Sequence, residues 1–477
     1  MGFSDYAQYD GLGLASLLAQ KAVSPLEVVD AAIERIEALN PKLNAVVYKA
    51  YDEARAQAAK GLSSGPFAGV PFLIKDLGLE VTGWPRTSGS VFANVPKDWR
   101  DSELVSRYRR AGVALLGKTN TPEFGIPGVT ISERLGPCRN PWSLERVSGG
   151  SSGGAASAVA AGLAPLAHAS DGLGSIRIPA ACCGLVGLKT TRDRNPNGPD
   201  DGDRAIGFSV DHVVSRTVRD SAAMLDATGY PEPASPYAAP FKARPYLEEV
   251  TASPGRLKIA WSGATASGRP IDPEIQALLE TTASQLAHLG HEVTPQGLDV
   301  DFRALYRAQA RVSAANFAAG MRRWIAEIGR EPGDDIGPLA RRAYEGGKRL
   351  SGDDVLFAWQ ELRILNRKIL SLFETYDVFL TPVLGTPVPK VEDLDPSAID
   401  LKEFDRRQSS AFPFTPPFNF TGQPSMSLPL HHSSDGLPVG MMFTARYGDE
   451  ATLFRLAGQL EVETPWKDRR PAIWAQA

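Results

Sequence analysis

The chain has 477 residues, 43% hydrophobic and 22% charged, with a formal net charge of −4. Such a composition supports a large folded core, and the absence of any cationic run disfavours nucleic acid as a partner. No apolar stretch reaches spanning length and no charged leader precedes one, so the reading is a cytoplasmic protein with no membrane partner.

Ser24, Pro25 and Glu27 form a capping box with proline at the first helical position. Val29, Ala32, Ile33 and Ile36 follow at helical spacing, which predicts an amphipathic helix over 25–39. The apolar run 70–74 reads as a strand that ends in Lys75. Leu104, Tyr108 and Ala111 share a helix face, and 113–116 reads as a buried strand. The run Gly-Gly-Ser-Ser-Gly-Gly at 149–154 leads into a helix of small residues over 155–161. A strand over 163–169 then enters a loop carrying Ser175. Asp272 and Pro273 open a helix with Ile275, Leu278, Leu279 and Leu286 on its buried side, stopped at Gly290. Leu453, Leu456, Ala457 and Leu460 mark a C-terminal helix. Alternating strand and helix signals predict an α/β protein with a largely parallel or mixed sheet. Residues 195–203 read as an exposed loop and 384–398 as a proline-rich connection, neither of them a linker between domains.

The chemistry concentrates around Lys75, Ser151 and Ser175. Glycines around both serines let backbone N–H groups crowd toward a small ligand. A hydroxyl is a weak nucleophile until a base takes its proton, and a desolvated lysine can be that base. The charges Asp171 and Arg177 flank Ser175 and read as an ion pair bracing the loop.

Other motifs read as structure. Residues 112–119 match the phosphate-loop expression, but their interior reads as a strand and not as a cradle. Ser151 and Ser152 both satisfy GxSxG, yet no apolar strand precedes them as in a nucleophile elbow; His431 and His432 keep that reading only as a weak rival. Cys138, Cys182 and Cys183 read as small buried residues in a reducing compartment. The six histidines show no ligand spacing, so neither a metal nor another cofactor is expected.

Several segments together resemble the amidase signature family: GVPFLIKD at 69–76, LLGKTNTPEFG at 115–125, GGSSGG at 149–154, SDGLGSIRIPA at 170–180 and GLVGLKT at 184–190. Later segments, including FNFTGQPSMSLPL at 418–430, also fit. The resemblance implies one α/β/α domain over 1–477, with a large mixed, mostly parallel sheet covered by helices on both faces. Residues 65–200 would be the signature core. It implies Ser175 as nucleophile, Ser151 as a bridging serine after a non-proline cis peptide, and Lys75 as base. The N–H groups of Gly172, Leu173, Gly174 and Ser175 would form the oxyanion hole. Leu173 departs from the usual glycine, and a positive φ there would strain the loop by about 1–3 kcal/mol.

The implied activity is hydrolysis of C–N bonds in small, largely apolar amides through an acyl-enzyme. The look is closest to the branch holding hydrolases of the 6-aminohexanoate cyclic dimer, a nylon oligomer, and aryl-acylamidases. Carbamate cleavage and a glutamine amidotransferase subunit are alternatives on the same triad. The expected partner is a small-molecule amide, with a homodimer an open option. Substrate-choosing side chains are expected over about 300–420, where Phe302, Tyr306, Phe317, Trp324, Trp359, Phe412, Phe414 and Phe418 offer apolar surface.

Overall fold

A computed structural model describes residues 3–61, 63–94 and 100–474. Among the described residues thirteen strands form, in chain order β1 Val46–Lys49, β2 Pro71–Lys75, β3 Ala114–Thr119, β4 Arg139–Asn140, β5 Ser143–Val147, β6 Leu166–Asp171 and β7 Val186–Lys189. Then come β8 Val210–Ser215, β9 Lys258–Trp261, β10 Glu292–Pro295, β11 Val378–Pro382, β12 Ser425–His432 and β13 Pro438–Ala445. Eleven of them make one sheet in the order β1-β3-β2-β6-β8-β7-β12-β13-β11-β9-β10, and β4 and β5 pair separately. Strands β2, β3, β6 and β8 are buried at every residue, as strands covered on both faces are.

The sheet is mixed, but the expected parallel majority is absent. Four pairings are parallel: β2 with β3 and β6, and β9 with β10 and β11. Six are antiparallel. The cause lies in strand insertion. Strands β6 and β7, joined through the helix Arg177–Cys183, are not neighbours, because β8 slots between them and runs against both. The turn at 433–437 is too short for a crossover, so β12 and β13 close as a hairpin.

Local signals hold with shifted ends. The capping box forms, with Glu27 N donating to Ser24 Oγ at 3.3 Å and Ser24 N to Glu27 Oε2 at 2.7 Å. Its helix runs over Pro25–Leu43, beyond the expected end, because Leu43 is fully buried and Asn44 supplies a left-handed cap at φ 52°. The strand expected at 163–169 begins three residues later, at Leu166. Residues 195–203 form no helix or strand, as expected, but the first half is not exposed. Asn195 is buried and donates from Nδ2 to the Asp211 carbonyl at 2.6 Å, which pins the segment to β8.

Lys75 ends β2 and Asp171 ends β6, and these two strands are parallel neighbours. Ligands of open α/β sheets gather at such carboxyl ends. Among the described residues no helix is long and apolar enough to cross a membrane.

The helix Gly153–Ala160 lies hard against the end of β3, where a Cβ on Gly154 would sit 2.3 Å from Asn120 N. Gly154→Ala is therefore expected to cost about 1–3 kcal/mol of stability, read as a lower midpoint in urea unfolding.

Candidate active site

Lys75 is fully buried. Its Nζ donates to Ser151 Oγ at 2.7 Å and to Ser170 Oγ at 3.0 Å. Burial pulls its pKa from 10.5 down to about 7, while the charges of Asp211 and Asp171 pull the other way. A neutral amine beside a hydroxyl can accept that hydroxyl's proton.

Ser170 was not singled out in the sequence, though strand alternation carries the signal. On β6 the residues 168 and 170 share one face. His168 accepts at Nδ1 from the Lys75 backbone N–H at 3.2 Å, and its Nε2 lies 2.9 Å from Asp211 Oδ1. With Nδ1 accepting, Nε2 carries the proton and donates it to Asp211. Burial pushes the His168 pKa down, so the pair is a hydrogen bond and not an ion pair. Arg204 Nη1 takes the other Asp211 oxygen at 2.7 Å. None of His168, Asp211 and Arg204 was a candidate, since no spacing rule links them.

The Gly150–Ser151 peptide is cis, as the resemblance implied. The turn around it is closely packed. A Cβ on Gly150 would sit 2.5 Å from Val129 N, and one on Gly153 would sit 2.3 Å from Thr130 Oγ1. Ser152 faces away from the lysine: its Oγ donates to the Ser170 carbonyl at 3.1 Å and accepts from Ser170 N at 3.2 Å. Ser152 N also donates to the Ser175 carbonyl at 3.3 Å, stitching the two serine segments together. Ser175 is partly exposed, and its hydroxyl has no hydrogen-bond partner among the described residues. One link of the expected relay, Lys75 to Ser151, is thus a formed hydrogen bond.

Asp171 and Arg177 are both fully buried and form the expected brace. Arg177 donates from Nε and Nη2 to the two Asp171 oxygens at 2.9 and 3.0 Å. Its other donors reach the Thr415 carbonyl and Asn419 Oδ1. This cation and the surrounding hydrogen bonds hold the Asp171 pKa well below the usual carboxylate range despite burial.

Two expectations for the oxyanion loop change. Gly174 N–H is already given to Asp171 Oδ1 at 2.6 Å, so it is not free for a ligand. The N–H groups of Gly172, Leu173 and Ser175 have no protein acceptor among the described residues. Leu173 does not adopt a positive φ, so leucine brings no backbone strain. The glycine requirement sits at Gly174, with φ +133° and a Cβ position only 2.2 Å from Thr415 Oγ1. Leu173 is 37% exposed.

The aromatics at 300–420 divide. Phe412, Phe414 and Phe418 are buried core. Phe302, Tyr306 and Trp359 pack against that core, Trp359 on Phe208 at 5.6 Å between ring centres. Phe317 and Trp324 join a second, smaller apolar cluster that includes Phe124. Phe124 meets Phe317 edge-on at 5.4 Å, and Gly125 beside it abuts Ser151: a Cβ there would sit 3.1 Å from Ser151 Oγ.

The other motifs are structural. Residues 114–119 are the buried strand β3, and Lys118 pairs with Asp76 at 3.1 Å. Cys138, Cys182 and Cys183 are free and buried. His431 bonds Thr282 at 2.7 Å, and the His432 ring lies tilted against Trp142 at 4.9 Å between ring centres. Among the described residues no cluster of ligand side chains could hold a metal ion.

The eleven-stranded mixed sheet carries the lysine at one strand end with the glycine-set serines beside it, and comparison with known proteins makes the chain a hydrolase of carbon–nitrogen bonds other than peptide bonds. The amidase family profile matches residues 27–454, and the chain belongs to that family, the amidase signature enzymes. It is 36% identical to the 6-aminohexanoate-cyclic-dimer hydrolase of Paenarthrobacter ureafaciens, over 97% of this chain and 96% of that one. It is 34% identical to an acylamidase of Rhodococcus erythropolis, with 96% of each chain covered. A 6-aminohexanoate cyclic dimer hydrolase solved with substrate superposes with a TM-score of 0.93 at 35% identity, covering 98% of this chain and 100% of that one.

Removing one member of a buried ion pair leaves the other charge uncompensated, at a cost of about 3–5 kcal/mol. Arg177→Met is expected to lose about that much stability in denaturant titration, and to lose amide hydrolysis with it.

Proposed function

We propose that this amidase cleaves small, largely apolar amides through an acyl-enzyme on Ser175. Ser151 relays the proton and Lys75 is the base. The observation that carries the reading is the 2.7 Å bond from a fully buried lysine to Ser151. The Ser175 proton passes to Ser151 while the Ser151 proton passes to Lys75 Nζ. The freed Ser175 Oγ attacks the carbonyl carbon, and the N–H groups of Gly172, Leu173 and Ser175 are aimed at the oxyanion. Lys75 returns the proton through Ser151 to the amide nitrogen, the C–N bond breaks and the amine departs. Water then gives a proton to the same relay, attacks the ester carbonyl and frees Ser175. Gly174 serves the hole indirectly, through its bond to Asp171.

The substrate class we favour is nylon-type oligomers, cyclic or linear, with aryl amides second. The likeness to cyclic-dimer hydrolases over almost the whole chain supports it, as do the partly exposed Phe124 and Phe317 beside the Ser151 turn. Carbamates are a further option for the same triad. A glutamine amidotransferase role requires partner chains, so hydrolysis of an anilide by the purified chain alone, without ATP, decides against it. We further propose that residues 1–477 work as one domain, since a single sheet joins β1 to β13.

Ser175→Ala, Ser151→Ala and Lys75→Ala are each expected to lower kcat by more than about 1,000-fold on a panel of cyclic amides, anilides, carbamates and esters. Ser152→Ala keeps activity within about 10-fold, which separates the triad from a GxSxG elbow. Equal activity of all four variants would place the chemistry elsewhere.

The pH dependence follows from Lys75. Only its neutral form accepts a proton, and its pKa lies at about 7. Activity is therefore blocked below that value and rises through it. A kcat/KM profile should show an ascending limb near neutrality; a limb near the ordinary lysine range would contradict the buried-base reading.

A further inference from the structure

The helix Gly352–Leu370 turns Ala358, Leu362 and Ile369 into the core. Its outer face is unusual: Leu356 is 64% exposed, Phe357 58% and Ile364 64%. Three large apolar side chains on one solvent face of one helix invite a partner. Asp353, Gln360, Arg363 and Arg367 are the other exposed residues of the same stripe, which steps by three, one and three along the helix. That spacing is the seam pattern by which two helices interlock.

The stripe is chemically palindromic about Gln360. Seven positions out on either side lie Asp353 and Arg367, four out lie Leu356 and Ile364, and three out lie Phe357 and Arg363. A two-fold axis beside Gln360 that pairs two copies antiparallel brings each residue opposite its mirror position. Asp353 then meets Arg367, an acid against a base. Leu356 meets Ile364, apolar against apolar. Phe357 meets Arg363, an aromatic face for a guanidinium. Neither Asp353, Arg363 nor Arg367 has an ion-pair partner within its own chain among the described residues, so all three are available. A two-fold interface demands self-complementarity of this kind.

We propose that this face is the seam of a homodimer, in which the helix Gly352–Leu370 pairs antiparallel with its copy and Gln360 lies at the two-fold axis. The occupant is a second copy because each residue of the stripe finds its complement within the stripe itself. A different partner protein would have no reason to match that symmetry.

The full chain is tested by sedimentation velocity and light scattering, where a mass twice the 51.2 kDa of the chain is expected. L356E/I364E should weaken the dimer by more than about 100-fold, consistent with losing two apolar anchors, while thermal unfolding and anilide hydrolysis confirm that the chain remains folded. The register has its own test. D353R alone and R367D alone should each weaken association, and D353R/R367D in one chain should restore it. Q360C should form a disulfide dimer on mild oxidation, while V462C, equally on the surface but off the seam, should not. A monomeric wild type, a dimer untouched by L356E/I364E, a double charge swap no better than either single, or failure of Q360C to cross-link would each overturn the proposal.

Discussion

A primary amine removed from water favours its neutral form only if no carboxylate nearby holds the proton on it. Lys75 meets that condition narrowly. Two buried acids act on it, Asp211 and Asp171, and each is answered by its own arginine: Arg204 for the first, Arg177 for the second. The two ion pairs do not touch the lysine. They remove the negative potential that would otherwise return it to an ammonium. The neutral His168 works in the same direction, joining Asp211 to the lysine's backbone without adding charge. The base is therefore a product of charge balance across β2, β6 and β8 as much as of dryness.

That balance demands rigidity, which explains why so little side chain is found at the turn of 149–154. Where glycine Cβ positions would fall within 2.3–2.5 Å of neighbouring atoms, the backbone itself fills the space beside the serine turn, and Lys75 is left fully buried. The same economy appears in the nucleophile loop. Asp171 accepts from Gly174, Ile176 and Arg177 backbone N–H groups, so the loop around Ser175 is fixed by one carboxylate before any substrate arrives.

Much of this was legible in the sequence, for identifiable reasons. The capping box at Ser24 and the apolar run ending in Lys75 are local signals, and local signals survive folding. The brace between Asp171 and Arg177 was readable because burial forces opposite charges six residues apart to pair. The insertion of β8 between β6 and β7 was not readable, since hydrophobic runs carry no direction and strand order is a long-range choice. The network of His168, Asp211 and Arg204 joins positions that only the register Ser170 opposite Asp211 brings close. Ser170 itself could have been found by strand alternation, since it shares a face with His168 and not with its neighbour Asp171. Leu173 looked like a departure in need of explanation until the backbone placed the demand for glycine one residue later.

All three cysteines are free and buried. Cys183 Sγ lies 3.5 Å from the Ser148 carbonyl, and a Cβ on Gly149 would meet Cys182 Sγ at 3.2 Å, so the sulfurs form the floor beneath the serine turn. Burial raises the Cys138 thiol to about 11 and holds the other two higher still. Protonated and sealed, they are inert to alkylating reagents while the native layer is closed. Their labelling rate would then clock how often the floor of the active site breathes open, a gauge of local fluctuation built into the protein without any added probe.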